Sequence, residues 1–258
     1  MALQLYYREL GHGPPLVILH GLFGSSANWG SMAKRLAESY RVITADLRNH
    51  GASPHAETMT YEEMAEDILA LLNETNVEKA ILLGHSLGGK TAMTFALLHP
   101  GRTEALIAVD IAPVRYGRRF DDIIRALKEL PLETLPSREE ADRQLASQIP
   151  DAGLRQFLLQ NLVRQGKTFR WRANLEAIEQ NMDTLLGFPD LAPSVRYEGR
   201  ACFIAGTLSS YVRPDRIPPI HRLFPFAQIV TIPETGHWPH IERPETFFAA
   251  LKKFLEIK

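Results

Sequence analysis

Short runs of wholly apolar residues alternate with amphipathic stretches along the chain, and that alternation predicts its architecture. Leu16-Val17-Ile18-Leu19, Arg41-Val42-Ile43-Thr44-Ala45, Ala80-Ile81-Leu82-Leu83 and Ala105-Leu106-Ile107-Ala108-Val109 are short and apolar on both alternating faces. Such runs predict parallel strands covered on both sides. Ala201-Cys202-Phe203-Ile204-Ala205 and Ala227-Gln228-Ile229-Val230-Thr231-Ile232 continue the series, and an opening strand is expected over Leu3 to Tyr7. Helices are expected between them. One carries Trp29, Met32 and Leu36 on one side. Another starts at Thr60, capped with Glu63 at its third position, and buries Tyr61, Met64, Ala65, Ile68, Leu69 and Leu72. A third covers Thr91 to Leu98 and stops before Pro100, and a closing helix carries Phe247, Phe248, Leu251, Phe254 and Leu255. Strand-helix alternation of this kind predicts an α/β fold with a mostly parallel central sheet and helices on both faces.

The pattern changes between residues 114 and 196. Helical stripes (Ile123, Ile124, Leu127 and Leu130, then Leu154, Phe157, Leu158 and Leu162) occur with no strand between them, punctuated by Pro131, Pro136, Pro150, Pro189 and Pro193. Some eighty structureless residues do not fit a compact domain, so the block predicts a helical cap inserted after the strand ending at Asp110. The core is then residues 1–113 and 197–258, with 114–196 as the cap.

Composition narrows the class. At 258 residues, 45% hydrophobic and 23% charged, the chain suits one domain with an insertion. A net charge of −1 gives no electrostatic footprint for nucleic acid. One cysteine, Cys202, lies inside an apolar run and reads as a small buried residue. The first residues lack a basic segment followed by a long apolar one, and no apolar run approaches eighteen residues, so no membrane span is expected and the cytoplasm is the default location.

Gly84-His85-Ser86-Leu87-Gly88 carries the candidate chemistry. A G-x-S-x-G between a buried strand and a helix is a nucleophile elbow, where small neighbours allow a tight, strained turn. A serine hydroxyl needs a base and a group that orients the base. His237, in the loop after the last strand, falls over the carboxyl edge of the sheet where Ser86 also opens. Serine, at Ser209, stands where a G-x-x-D pattern after the Ala201 to Ala205 strand would supply the acid. Asp110, at the end of the preceding sheet strand, is therefore the preferred orienter and Asp215 the fallback. The amides of Leu87 and of Leu22, in the His20-Gly21 turn, are the expected oxyanion donors, with Phe23 as the alternative to Leu22. His85 is expected to face away from Ser86, and His20 and His50 to shape the site by hydrogen bonding. His237-x-x-His240 has no companion ligand cluster that would support a metal, and the chemistry needs no cofactor.

These motifs resemble a known family. The H-G-x-x-G turn at His20, the D-x-R-x-x-G-x-S loop at Asp46, the G-H-S-x-G-G elbow and the late Gly236-His237 occur in the order of the α/β-hydrolase superfamily. Asp46-Leu47-Arg48-Asn49-His50-Gly51, Gly84-His85-Ser86-Leu87-Gly88-Gly89-Lys90 and Val109-Asp110-Ile111-Ala112-Pro113 resemble its small capped serine esterases, the YbfF-type and abhydrolase-domain-11 group. That resemblance implies the α/β-hydrolase fold and esterase or acyl-CoA thioesterase activity on a small-molecule acyl ester or thioester. It also implies Asp110 as the acid and acceptance of a serine at Ser209.

The cap supplies candidates for the acyl pocket: Phe157, Leu158, Phe169 and Trp171, with Phe23 from the core. Its charged residues between Ala152 and Leu175 include a basic run, Arg155, Arg164, Lys167, Arg170 and Arg172, which suggests attraction of an anionic leaving group such as coenzyme A; Arg115, Arg118 and Arg119 would extend it. The rival readings are a cofactor-free lyase or perhydrolase on the same scaffold, and a ligand receptor that keeps the site.

Overall fold

A computed structural model describes residues 2–118 and 120–257. Strands β1 (Tyr7–Leu10), β2 (Pro15–Leu19), β3 (Arg41–Ala45), β4 (Ala80–His85), β5 (Thr103–Val109), β8 (Arg200–Gly206) and β9 (Ala227–Ile232) form one sheet in the order β1-β3-β2-β4-β5-β8-β9. β1 alone runs antiparallel, pairing Tyr7 with Ala45. Parallel neighbours are in register from Leu16 against Ile81 across to Ala201 against Ala227.

Alternation within each strand divides the core. Leu16, Ile18, Ile81, Leu83 and Ile107 pack against Met32 and Leu36 of the Gly30–Leu36 helix and Phe247, Leu251 and Phe254 of the Pro244–Leu255 helix. Val17, Leu19, Leu82 and Leu106 face Met64 and Ile68 of the Tyr61–Glu74 helix and Met93 and Phe95 of the Leu87–Leu98 helix. The Thr60 cap forms as expected: its hydroxyl accepts the Glu63 N–H at 3.1 Å while Glu63 accepts the Thr60 N–H at 3.0 Å. Cys202 is buried in β8, and burial pushes its thiol up to about 12.

Two expectations need correction. The opening strand lies at Tyr7–Leu10, not over Leu3 to Tyr7. The Leu3 and Tyr6 N–H groups instead donate to side chains, Asp67 Oδ1 at 2.6 Å and Ser53 Oγ at 2.8 Å, so neither N–H bonds a strand, and the Tyr6 carbonyl accepts the Asp46 N–H at 2.9 Å just past the end of β3. Between β5 and β8 the chain is not wholly helical: β6 (Leu162–Gln165) and β7 (Thr168–Trp171) form an antiparallel hairpin. Gly166 turns it at φ +62°, and the Val163, Thr168 and Phe169 side chains suit a pleated surface. Five helices surround the hairpin, from Asp121–Glu129 to Met182–Leu186. Among the described residues no helix is long and apolar enough to cross a membrane.

Candidate active site

β4 ends at His85, the helix begins at Leu87, and Ser86 between them takes φ +51°, ψ −114°. That conformation is strained for a residue with a Cβ and survives only where its surroundings fix it. A Cβ on Gly84 would overlap the Gly88 carbonyl, and one on Gly88 would press on the Leu19 and His20 carbonyls, so both positions require glycine for strand and helix to cross this closely. The Ser86 N–H donates to Val109 O and the Gly88 N–H to His20 O, each at 3.1 Å. Phe23, Asn49, Asp110 and Glu234 also have positive φ, so strained residues gather in loops at the carboxyl edge of the sheet.

Asp110 follows β5 and is fully buried. Its Oδ2 accepts the His237 Nδ1–H at 2.7 Å and also the Ser209 hydroxyl, and its Oδ1 accepts the Gly206 N–H at 3.1 Å. With Nδ1 donating, His237 presents Nε2 as an acceptor, the tautomer a general base needs. Ser86 Oγ makes no hydrogen bond among the described residues; it lines one cavity with His237, and such contacts tighten on substrate binding. The Tyr211 ring stacks on His237, centroids 3.9 Å apart and planes 17° apart, and its N–H donates to Ser209 Oγ at 3.1 Å. Asp215 is not brought to the site: it is exposed and pairs with Arg213.

The other histidines hold the frame. His85 Nε2–H donates to the His237 carbonyl at 2.8 Å, and burial pushes its pKa well below the usual histidine value, so it faces His237 as a neutral ring. His50, pushed by burial down to about 3, accepts the Phe23 N–H on Nε2 at 3.1 Å and donates from Nδ1 to Arg48 O. That bond separates the two oxyanion candidates: the Phe23 amide is engaged, whereas the Leu22 and Leu87 amides meet no acceptor among the described residues. Leu22, Leu87 and Ser86 line the same small pocket. His20 Nε2 accepts the Leu47 N–H at 2.9 Å, and His240 stacks flat on Trp29 with centroids 4.3 Å apart.

Cavities open on both sides of Ser86. One of about 220 Å³ is lined by Phe23, Ser86, Phe157, Tyr211, His237 and Trp238. It shares His237 and Trp238 with an outer cavity of about 690 Å³, while a pocket of about 40 Å³ runs along the elbow helix. Phe23 and Phe157 therefore reach the site; Phe169 and Trp171 do not. Phe169 is buried in the core cluster on the Val17 face of the sheet, Trp171 packs against it, and Trp171 Nε1–H donates to Leu127 O at 3.0 Å. Leu158 is buried there too. None of Arg155, Arg164, Lys167, Arg170 and Arg172 lines these cavities. Arg155 pairs with Asp142, Arg115 with Asp183, and Arg118 with Asp121 and Asp183; Arg119 lies outside the described residues. The sequence reading missed Tyr211, Trp238 and Lys90, although Tyr211 lies two residues beyond Ser209 and Lys90 ends the elbow motif.

The sequence profile described as alpha/beta hydrolase fold matches residues 14–244. A mouse (Mus musculus) protein named sn-1-specific diacylglycerol lipase ABHD11 is 44% identical over 251 residues, covering 94% of this chain and 81% of its own. The esterase YbfF of Escherichia coli is 34% identical over 242 residues, 93% of this chain and 92% of the relative. A solved marine microorganism esterase superposes with TM-score 0.95 at 39% identity, over 98% of this chain and all of the other. On these grounds, and on the sheet and elbow described above, the chain belongs to the α/β-hydrolase fold family, in the group of the YbfF-type and ABHD11 proteins.

Proposed function

We propose that the protein is a carboxylic ester hydrolase that works through an acyl-enzyme. Ser86 Oγ attacks the ester carbonyl as His237 Nε2 takes its proton, and Asp110 holds the ring and stabilises the imidazolium that forms. The Leu22 and Leu87 amides receive the developing oxyanion. His237 returns the proton to the departing alcohol, and water repeats the cycle on the acyl-enzyme. The observation that carries this reading is the buried Asp110 carboxylate 2.7 Å from His237 Nδ1, beside a serine at φ +51°. We read residues 114–196 as a cap over this site, since Phe157 from that block lines the cavity with Ser86.

The outer cavity favours an alcohol over coenzyme A as the leaving group. Its polar lining includes the amides of Asn28, Gln156 and Gln160 and the carboxylates of Asp151 and Glu242, with no lysine or arginine among the described residues. A polyanionic leaving group would meet like charge there, whereas a hydroxylated one meets donors and acceptors. The relatives named diacylglycerol lipases make glycerol esters a substrate class to include. The test is steady-state hydrolysis of matched acyl p-nitrophenyl esters, acylglycerols and acyl-CoA thioesters by wild type and Ser86→Ala. Ester turnover that falls on the order of 10⁶-fold in Ser86→Ala supports the reading. Turnover that survives the substitution, or none in the wild type, overturns it.

A further inference from the structure

Lys90 is a buried lysine with an unusual set of partners. It lies four residues beyond Ser86 on the elbow helix, so its side chain emerges on the same face about 6 Å further along the axis. It is 2% exposed. Among the described residues it pairs with no carboxylate: Nζ donates to Leu186 O at 3.0 Å and to Gly187 O, the carbonyls that end the Met182–Leu186 helix. The ammonium also sits over the rings of Tyr116 and Tyr61, 4.8 and 5.6 Å from their centroids. Burial, with Arg115 and Arg216 nearby, lowers its pKa to about 7.

The surroundings of that side chain assign it a place in the acyl half of the site. The narrow pocket beside Ser86 is lined by Leu22 and Leu87, then Ile111, Met182 and Leu185, and among the described residues that line it Lys90 alone carries a charged side chain. With the head engaged by carbonyls and aromatic faces, the methylene stem is what an alkyl chain meets, the usual division of a buried lysine into apolar body and polar tip. Beyond Lys90 the wall is thin. Tyr61, whose hydroxyl donates to Leu185 O at 2.6 Å, lines both this pocket and a surface groove of about 450 Å³, and Gly187 lines the groove from the outside. Lys90 thus fills the space between Ser86 and a wall that its own ammonium pins in place.

We propose that the Lys90 stem is the floor of the acyl pocket and sets the length of acyl group that Ser86 accepts. This rests on the ester-hydrolase reading and adds a specificity-determining residue to it. Lys90→Ala removes three methylenes and the ammonium, making room for about three more carbons of substrate. Each methylene newly taken out of water is worth about fourfold in kcat/KM, so the long-chain gain is up to roughly sixtyfold. Lys90→Met keeps the stem and loses only the head.

The experiment is a kcat/KM profile over p-nitrophenyl esters from acetyl to dodecanoyl, for wild type, Lys90→Ala and Lys90→Met, with Ser86→Ala as the blank. Expected is a short-chain optimum in wild type, the same optimum in Lys90→Met, and an optimum moved to longer chains in Lys90→Ala, carried by lower KM for the long esters. Lys90→Leu, which shortens the stem while keeping the helix packed, shows a smaller shift in the same direction and serves if Lys90→Ala does not fold. A profile that Lys90→Ala and Lys90→Leu merely scale uniformly, or a shift equally large in Lys90→Met, overturns the assignment of length control to the stem. Wild type that turns over no ester sinks the hydrolase reading, and the length limit with it.

Discussion

Asn161 Nδ2–H donates to the main-chain carbonyl of Phe23 at 2.6 Å, across 138 residues of sequence. His50 takes the N–H of the same residue. Phe23, itself at φ +61°, is thus gripped from both sides, by His50 and by a buried side chain from the block between β5 and β8, one residue after the Leu22 amide. Asn161→Ala leaves that carbonyl without its partner and frees the loop. A fall in kcat of about tenfold or more is expected with a smaller change in KM, because the donor is misplaced where charge develops. Equal loss in kcat and stability, with the short-ester KM also ruined, would mean that Asn161 supports only the fold.

The proposed acid is testable without disturbing the frame. Asp110→Asn keeps the shape but no longer stabilises the imidazolium, so kcat is expected to fall on the order of 10⁴-fold. Asp215→Asn should leave kcat/KM unchanged, since that carboxylate is exposed and far along the loop. Ser209→Ala removes one of three donors to Asp110 and should cost about tenfold. A reversed order for Asp110 and Asp215 would move the acid to the loop after β8.

Acid stability follows from the framing histidines. Burial lowers the pKa of His20 and His85 and pushes His50 and His240 down to about 3, so all four fold neutral while the unfolded chain protonates them near 6.5. A depressed folded pKa gives stability that is present above the unfolded value and lost as pH falls below it. Stability should therefore decline from about pH 6.5 downward, by up to about 1.4 kcal/mol per pH unit for each histidine. His240→Phe keeps a ring against Trp29 and should flatten that slope by one histidine's share, as read from denaturant midpoints at pH 4 to 7.

Lys90 has the same sign on the alkaline side. Its folded pKa of about 7 lies below the ordinary 10.5, so the stability lost by charging it in the interior returns as pH rises between those values. From pH 7 to 9, wild type should gain on Lys90→Met by up to about 1.4 kcal/mol per unit. Parallel curves for the two proteins would show that Lys90 titrates as an ordinary lysine.

Sequence pattern revealed what local chemistry determines. The double-sided apolar runs marked the parallel strands because each face of the sheet is covered, and Gly84, Ser86 and Gly88 marked the elbow because the turn tolerates little else. β1 was displaced because Leu3 and Tyr6 bond to Asp67 and Ser53, partners 64 and 47 residues away. The β6-β7 hairpin was hidden by its short strands within a helical block. Lys90 carries no signal of its place in the sequence, because its carbonyl partners come from residues 186 and 187 and no spacing rule joins position 90 to them. Phe169 and Trp171 were misplaced for the converse reason: an aromatic in the inserted segment goes into core packing unless its element faces Ser86.

Cys202, the chain's one thiol, is sealed inside β8 and held at a pKa of about 12. Maleimides and similar reagents will therefore pass the folded protein by, which leaves the surface free for a single engineered label. Lys167→Cys at the exposed tip of the hairpin would carry one dye and no other, placing a fluorescent reporter on the segment we read as a cap over Ser86.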